Sequence, residues 1–145
     1  MKMRVAGAKA VLSHETACAI KVGIETNLKG FKPEHITTAF FCECVGRWWE
    51  IMDNRRSKLV FSKNNQQAFD DNIEFLKWFA QFYSSMKIHT NQGQGLKPSQ
   101  SGVLISTFSM INLVTQLMEE GHDLVYTSKT SQNALGKYLN CNCFL

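Results

Sequence analysis

The stretch RWWEIMDNRR, residues 47 to 56, is where this sequence most suggests binding chemistry. Trp48 and Trp49 offer stacking planes, Glu50 and Asp53 offer acceptors, and Arg47, Arg55 and Arg56 offer cations. On a helix Glu50 and Asp53 stand at i, i+3 and share a face. Such a set suits a purine nucleotide, with the ring against an aromatic plane, a carboxylate accepting from ring N–H groups and arginines near phosphates. A helix with core tryptophans and a solvated charged flank gives the same pattern, so spacing alone leaves both readings open.

The other reactive side chains are weaker candidates. Cys42 and Cys44 fall inside a strongly helical pattern, where i, i+2 neighbours point about 200° apart. They cannot chelate one ion together, so the spacing predicts buried thiols. Cys141 and Cys143 have no histidine at zinc-finger spacing, and no metal site is expected. His14, His35, His89 and His122 are scattered, without a neighbouring Cys or Asp in a triad-like order, and read as surface residues. The paired acids Asp70 and Asp71, and Glu119 and Glu120, are adjacent and diverge on a helix. No GxxxxGK[ST] phosphate loop occurs.

Helices must position these groups. From Met3 to about Asn27, Val5, Ala8, Leu12, Ala19 and Ile24 form one broad apolar face, ended by NLKGFK. Pro33 suits the first turn of a second helix. There Ile36, Phe40, Phe41, Cys44, Val45, Trp48, Trp49 and Met52 keep the 3.6-residue period. Phe69, Ile73, Leu76, Ala80 and Tyr83 predict a third helix, and Phe75, Phe79, Phe82 and Met86 widen its stripe toward burial over much of the circumference. Residues 90 to 102 read as an irregular loop. VLIST follows, then a helix from about Ser109 to Glu120, stopped by Gly121 at a C′ position. DLVYTS reads as a short β-type run, and Ser131 is a candidate cap for a last short helix through Leu135, Tyr138 and Leu139.

The 145 residues are a single-domain length, 44% apolar and 11% aromatic, enough for a core. Sixteen Lys and Arg against twelve Asp and Glu give a formal charge of +4, which permits phosphate or nucleic-acid contact without demanding it. Five cysteines, an odd count, with no secretory signal predict reduced thiols in an intracellular compartment. No window approaches the roughly 20 apolar residues of a spanning helix, so the chain reads as soluble and no membrane partner is expected.

Three stretches, in order, carry a resemblance. MRVAGAKAVLSHETACAI, FFCECVGRWWEIMDNR and KPSQSGVLISTFSMINLVTQLMEEGHDLVYTSKTSQNAL resemble successive segments of P-element-type (THAP-domain) DNA transposases and together cover nearly all of residues 3 to 140. In that family a helical GTP-binding insertion interrupts an RNase H-like catalytic domain, which cuts and joins DNA with a divalent-metal carboxylate triad; GTP assists assembly on DNA rather than serving as fuel. The residue pattern reads as a mainly α fold with one or two short strands near the C-terminal end, which the resemblance makes a helical insertion-type domain. The resemblance also implies two parts. Residues 1–120 correspond to part of the GTP-binding insertion, and residues 121–145 to a truncated RNase H-like C-terminal segment.

Its site residues carry over incompletely. Trp49 and Glu50 stand at the aromatic–Asp pair beside the guanine nucleotide, Asp53 at an Asn of the same site, and Arg55 at the basic residue closing the motif. Asn133 stands at an Asp by the nucleotide, and Gly136 at the catalytic Glu. Glycine brings no ligand to a divalent cation, so the resemblance implies no catalytic residues and no metal. The expected function is that of a transposase-derived fragment, not an enzyme, with at most weak guanine-nucleotide binding through Trp49, Glu50, Asp53 and Asn133. The alternative is a domesticated helical protein-interaction module, self-associating or holding a partner protein. DNA would be met only through regions of the parent transposase, and a nuclear location follows from the family alone.

Overall fold

The computed structural model describes residues 5–54, 61–87 and 97–130. Its elements are α1 (Val5–Val11), α2 (His14–Glu25), α3 (Ile36–Met52), β1 (Phe61–Ser62), α4 (Gln66–Ser85), α5 (Pro98–Glu119) and β2 (Leu124–Val125), with 3₁₀ turns at Pro33–His35, Lys63–Asn65 and Thr127–Lys129. The fold is mainly α with one two-stranded antiparallel sheet among the described residues. The chain forms two compact units, Met1–Glu50 and Ile51–Leu145.

In the first unit the single N-terminal helix expected from periodicity is two, because the chain turns at Leu12 and Ser13. Ser13 is extended (φ −132°) and caps α2, its hydroxyl accepting from the Thr16 N–H at 3.3 Å. The Thr16 hydroxyl reaches back to the Ala10 carbonyl at 2.9 Å and fixes the corner. Ala17 of α2 and Ala39 and Cys42 of α3 form the core, flanked by Leu12 and Ile20. Beyond α2 the Leu28 N–H donates to the Gly23 carbonyl at 2.9 Å, and the loop passes through Gly30 at φ +99°, a conformation that favours glycine. A Cβ on Gly23 would lie 2.7 Å from the Phe31 ring, so glycine there lets that ring close over α2.

In the second unit α4 packs against α5, with Leu76, Phe79 and Ala80 buried on one and Met110, Ile111 and Val114 on the other. β1 pairs with β2 through Phe61 and Val125, both buried, and the Phe61 ring meets Phe69 edge-on at 5.5 Å. One strand is thus mid-chain and the other near the C-terminal end, the latter within DLVYTS. α4 is less enclosed than its apolar stripe suggests: Trp78 is exposed and stacks on the half-buried Phe82 at 5.3 Å and 3°. The rings shield one another along the helix instead of all entering the core.

α5 departs most from the sequence reading. It starts at Pro98, takes in VLIST, and runs for 22 residues. Gln100 explains the early start. Its side chain is buried; Oε1 accepts from the Lys97 N–H at 3.0 Å, and Nε2 donates to the Met86 carbonyl at 2.9 Å and to Tyr83's at 3.4 Å. The amide serves both the open end of α5 and the last carbonyls of α4. Joining the two halves also makes α5 the one described helix long and apolar enough to cross a membrane by length and composition, at a mean hydropathy of 1.3. This is an averaged measure over a helix that still carries Ser, Thr, Gln and Asn, not an unbroken run of apolar residues. Core helices of globular domains meet the same criterion. Gly121 ends α5 at φ +102°, with the His122 N–H on the Leu117 carbonyl and the Gly121 N–H on Met118's, the Schellman pattern expected for a C′ glycine. Ser131 and the last short helix lie outside the described residues.

Thr127 performs a similar service for α3. It is fully buried; its hydroxyl donates to the Ile51 carbonyl at 2.6 Å and accepts from the Asn54 N–H at 3.0 Å, while the Ser128 N–H donates to the Asn54 carbonyl at 3.2 Å. Replacing Thr127 with the near-isosteric valine leaves a buried carbonyl and a buried N–H without this partner. Thr127→Val is therefore expected to lose about 1–3 kcal/mol in urea unfolding, with an unchanged m-value.

Candidate functional site

The candidate site lies in the first unit, where the α1–α2 corner shapes it. Gly46 of α3 faces that corner. A Cβ there would lie 3.2 Å from Ser13 Cα and 3.3 Å from both the His14 nitrogen and the Leu12 oxygen, so only a hydrogen lets the backbones approach this closely. Beside Gly46 opens a cleft of about 460 Å³, lined by Lys9, Leu12, Ser13, His14, Glu15 and Glu50 among others. Its size lies within the range of small-molecule sites. Lys9 and His14 bring donors and, for the lysine, positive charge; Glu15 and Glu50 bring acceptors. Hydrogen bonds from its own backbone N–H and from the Ser13 hydroxyl hold the Glu15 carboxyl below the ordinary carboxylate value.

The residues singled out for nucleotide chemistry are dispersed. Glu50 is exposed on the last turn of α3 and lines the cleft. Trp49 is half-buried and meets Trp48 edge-to-face, 6.0 Å between centroids at 81°. Asp53 follows the end of α3, half-buried, and belongs to the second unit. The shared face predicted for Glu50 and Asp53 is therefore not a helical one, since α3 ends at Met52. Arg55, Asn133 and Gly136 lie outside the described residues. Cys42 and Cys44 are both buried in α3, as their spacing predicts, and burial pushes the Cys44 thiol up, with the Glu43 carboxylate adding to the effect. Among the described residues no cluster of His, Cys, Asp and Glu has the makings of a metal site.

A further constellation spans α2 and α3. His14 and Cys18 stand one turn apart on α2, with Cys18 Sγ 3.4 Å from His14 Nε2. The other ring nitrogen, Nδ1, lies 3.5 Å from Glu43 Oε1 on α3. Lys21, one turn beyond Cys18, donates to Glu43 Oε2 at 2.6 Å. The expectation that no histidine has a neighbouring Cys or Asp in a triad-like order is thus corrected for His14 and Cys18: thiol, imidazole and the Glu43 carboxylate form a line, and a lysine is paired to the carboxylate. The i, i+4 spacing of His14 and Cys18 was legible in the sequence. Glu43 was not, because a second helix supplies it 29 residues beyond His14.

The Lys21 ammonium holds the Glu43 carboxyl below the ordinary value, with His14 a smaller contributor, and Glu43 in turn raises Lys21. A depressed folded-state value means that this pair's contribution is complete above the ordinary carboxylate range and is lost as pH falls through the folded value. Both side chains are nearly two-fifths exposed, so the contribution to stability is small. No family model, curated protein or solved structure matches the chain.

Lys21→Met is expected to move the Glu43 titration midpoint up toward the ordinary carboxylate value, read from side-chain carboxyl shifts by NMR. An unmoved midpoint would place the cause elsewhere. Gly46→Ala is expected to destabilise the first unit by about 1–3 kcal/mol, since the added methyl meets backbone on three sides; thermal unfolding followed by circular dichroism measures it.

Proposed function

We propose that this chain is a transposase-derived helical module, akin to the GTP-binding insertion of P-element-like transposases, with no DNA-cutting chemistry of its own and weak affinity for guanine nucleotides. One observation carries the nucleotide clause. Glu50, which the resemblance sets beside the guanine ring, opens on the cleft of about 460 Å³ whose lining also includes Lys9. A carboxylate accepting from purine ring N–H groups and an ammonium within the same concavity are the two contacts a nucleotide needs first. Lys9 carries the phosphate role that spacing alone had given to the arginines.

The affinity is weak for physical reasons. Trp49, the stacking plane in the resemblance, already faces Trp48, and neither tryptophan lines the cleft. Asp53 adds a negative charge where the family has a neutral amide. The absence of nuclease or strand-transfer activity rests on Gly136, which brings no ligand to the position of the family's catalytic Glu. Nuclear location follows from the same resemblance.

A second reading, a domesticated interaction module, draws on α5. Ile105 is 66% and Phe108 51% exposed, and at i, i+3 they share a face. An apolar pair displayed this way suits self-association or a partner protein.

Titration calorimetry of the purified chain with GTP at millimolar concentration is expected to give saturable heat. Glu50→Ala is expected to weaken binding about tenfold, the worth of one charge-assisted hydrogen bond. No heat above the buffer blank removes the nucleotide clause. Sedimentation of the same sample separates the second reading: Phe108→Ser is expected to abolish any concentration-dependent dimer, and a monomer at all concentrations with no captured partner speaks against it.

A further inference from the structure

We propose that Cys18 is a reactive thiol, activated by His14, that exchanges with low-molecular-weight disulfides of the glutathione type. The inference does not depend on nucleotide binding. It rests on the line of groups across α2 and α3: Cys18 Sγ, 3.4 Å from His14 Nε2, and His14 Nδ1, 3.5 Å from Glu43 Oε1. Each group has the role that its chemistry allows. The imidazole takes the thiol proton at Nε2, and the Glu43 carboxylate, facing the opposite nitrogen, favours the imidazolium that results. Lys21, held at Glu43 Oε2 and one turn from Cys18, adds a positive charge on the same side.

Access separates this thiol from the other described cysteines. Cys18 is half-buried beside a largely exposed imidazole, 64% by side chain, whereas Cys42 and Cys44 are closed into α3. A disulfide of small molecular size meets Cys18 without any helix moving.

The exchange balances within these groups. The Cys18 proton moves to His14 Nε2, and the thiolate attacks one sulfur of the incoming disulfide. A new Sγ–S bond forms as the old S–S bond breaks. The departing thiolate takes the proton back from the imidazolium and leaves as free thiol. Cys18 is oxidised to a mixed disulfide, half of the small disulfide is reduced, and a second thiol reverses the step. The product puts a charged tripeptide adduct beside His14, which also lines the cleft, so the modification would crowd that concavity.

The size of the effect is bounded. An ordinary thiol is only a few per cent ionised near neutral pH, so a neighbouring base that takes its proton speeds the attack by about five- to tenfold at most, the gain in thiolate being partly offset by lower nucleophilicity. The test is site-resolved mass spectrometry of the full chain exposed to oxidised glutathione at neutral pH, with each cysteine peptide timed separately. The Cys18 peptide is expected to gain the adduct about five- to tenfold faster in the native protein than in the same protein in guanidinium chloride, with Cys42 and Cys44 slower in the native state. His14→Gln, checked for retained helicity by circular dichroism, is expected to remove the native acceleration, and Glu43→Gln to reduce it. A native Cys18 rate at or below the unfolded rate overturns the proposal and needs no variant. A folded His14→Gln protein reacting at the wild-type rate overturns it too.

Discussion

A helix that ends inside a protein leaves its last carbonyls without intrahelical donors, and the way those carbonyls are served organises this chain. Four ends are served in three ways. α2 and α5 use the backbone, through the Leu28 N–H on Gly23 and the His122 N–H on Leu117, each aided by a positive φ just past the helix end, at Asn27 (+51°) and Gly121 (+102°). α4 borrows an amide, because Gln100 reaches Met86 and Tyr83 from the first turn of α5. α3 borrows a hydroxyl, because Thr127 bonds Ile51. In the last two cases the donor belongs to a different element, so capping and tertiary structure are one event. The α4–α5 pairing and the docking of the Thr127 turn each rest on a buried polar side chain as well as on apolar burial.

That division explains what the sequence disclosed. α3, α4 and the Gly121 stop follow from local information, namely the 3.6-residue period and a glycine one residue past a helix end. The start of α5 did not, because 97–102 looks like loop until Gln100 finds carbonyls on another helix. A helix begun at Ser109 also divides the apolar length of α5, leaving VLIST outside it. The split between α1 and α2 is of an intermediate kind. Ser13 is a recognisable cap, but the continuous apolar periodicity masked it.

The candidate site divides in the same manner. Glu50 could be picked out from one short stretch, and it does line the cleft of the first unit. The partners that periodicity gave it, Trp49 and Asp53, are occupied with Trp48 or displaced past the helix end. Its actual company, Lys9, Ser13 and His14, comes from α1 and the α1–α2 corner, more than 30 residues earlier. Gly46 is the residue that permits this company, and nothing in its neighbours marks it. The line from Cys18 through His14 to Glu43 likewise required two helices to be laid side by side before it could be seen.

The Thr127 clasp has a consequence for the order in which the second unit is completed. It ties positions 76 and 73 residues apart, the longest of the hydrogen-bonded closures described above. Contacts of such separation form after local ones, since the intervening chain must first give up its freedom. During synthesis, the end of α3 stays open to water until α4, α5 and β2 have all left the ribosome, and the turn carrying Thr127 then closes it. A chain interrupted anywhere between residues 54 and 127 therefore lacks the hydroxyl that serves the Ile51 carbonyl and leaves that end of α3 unfinished.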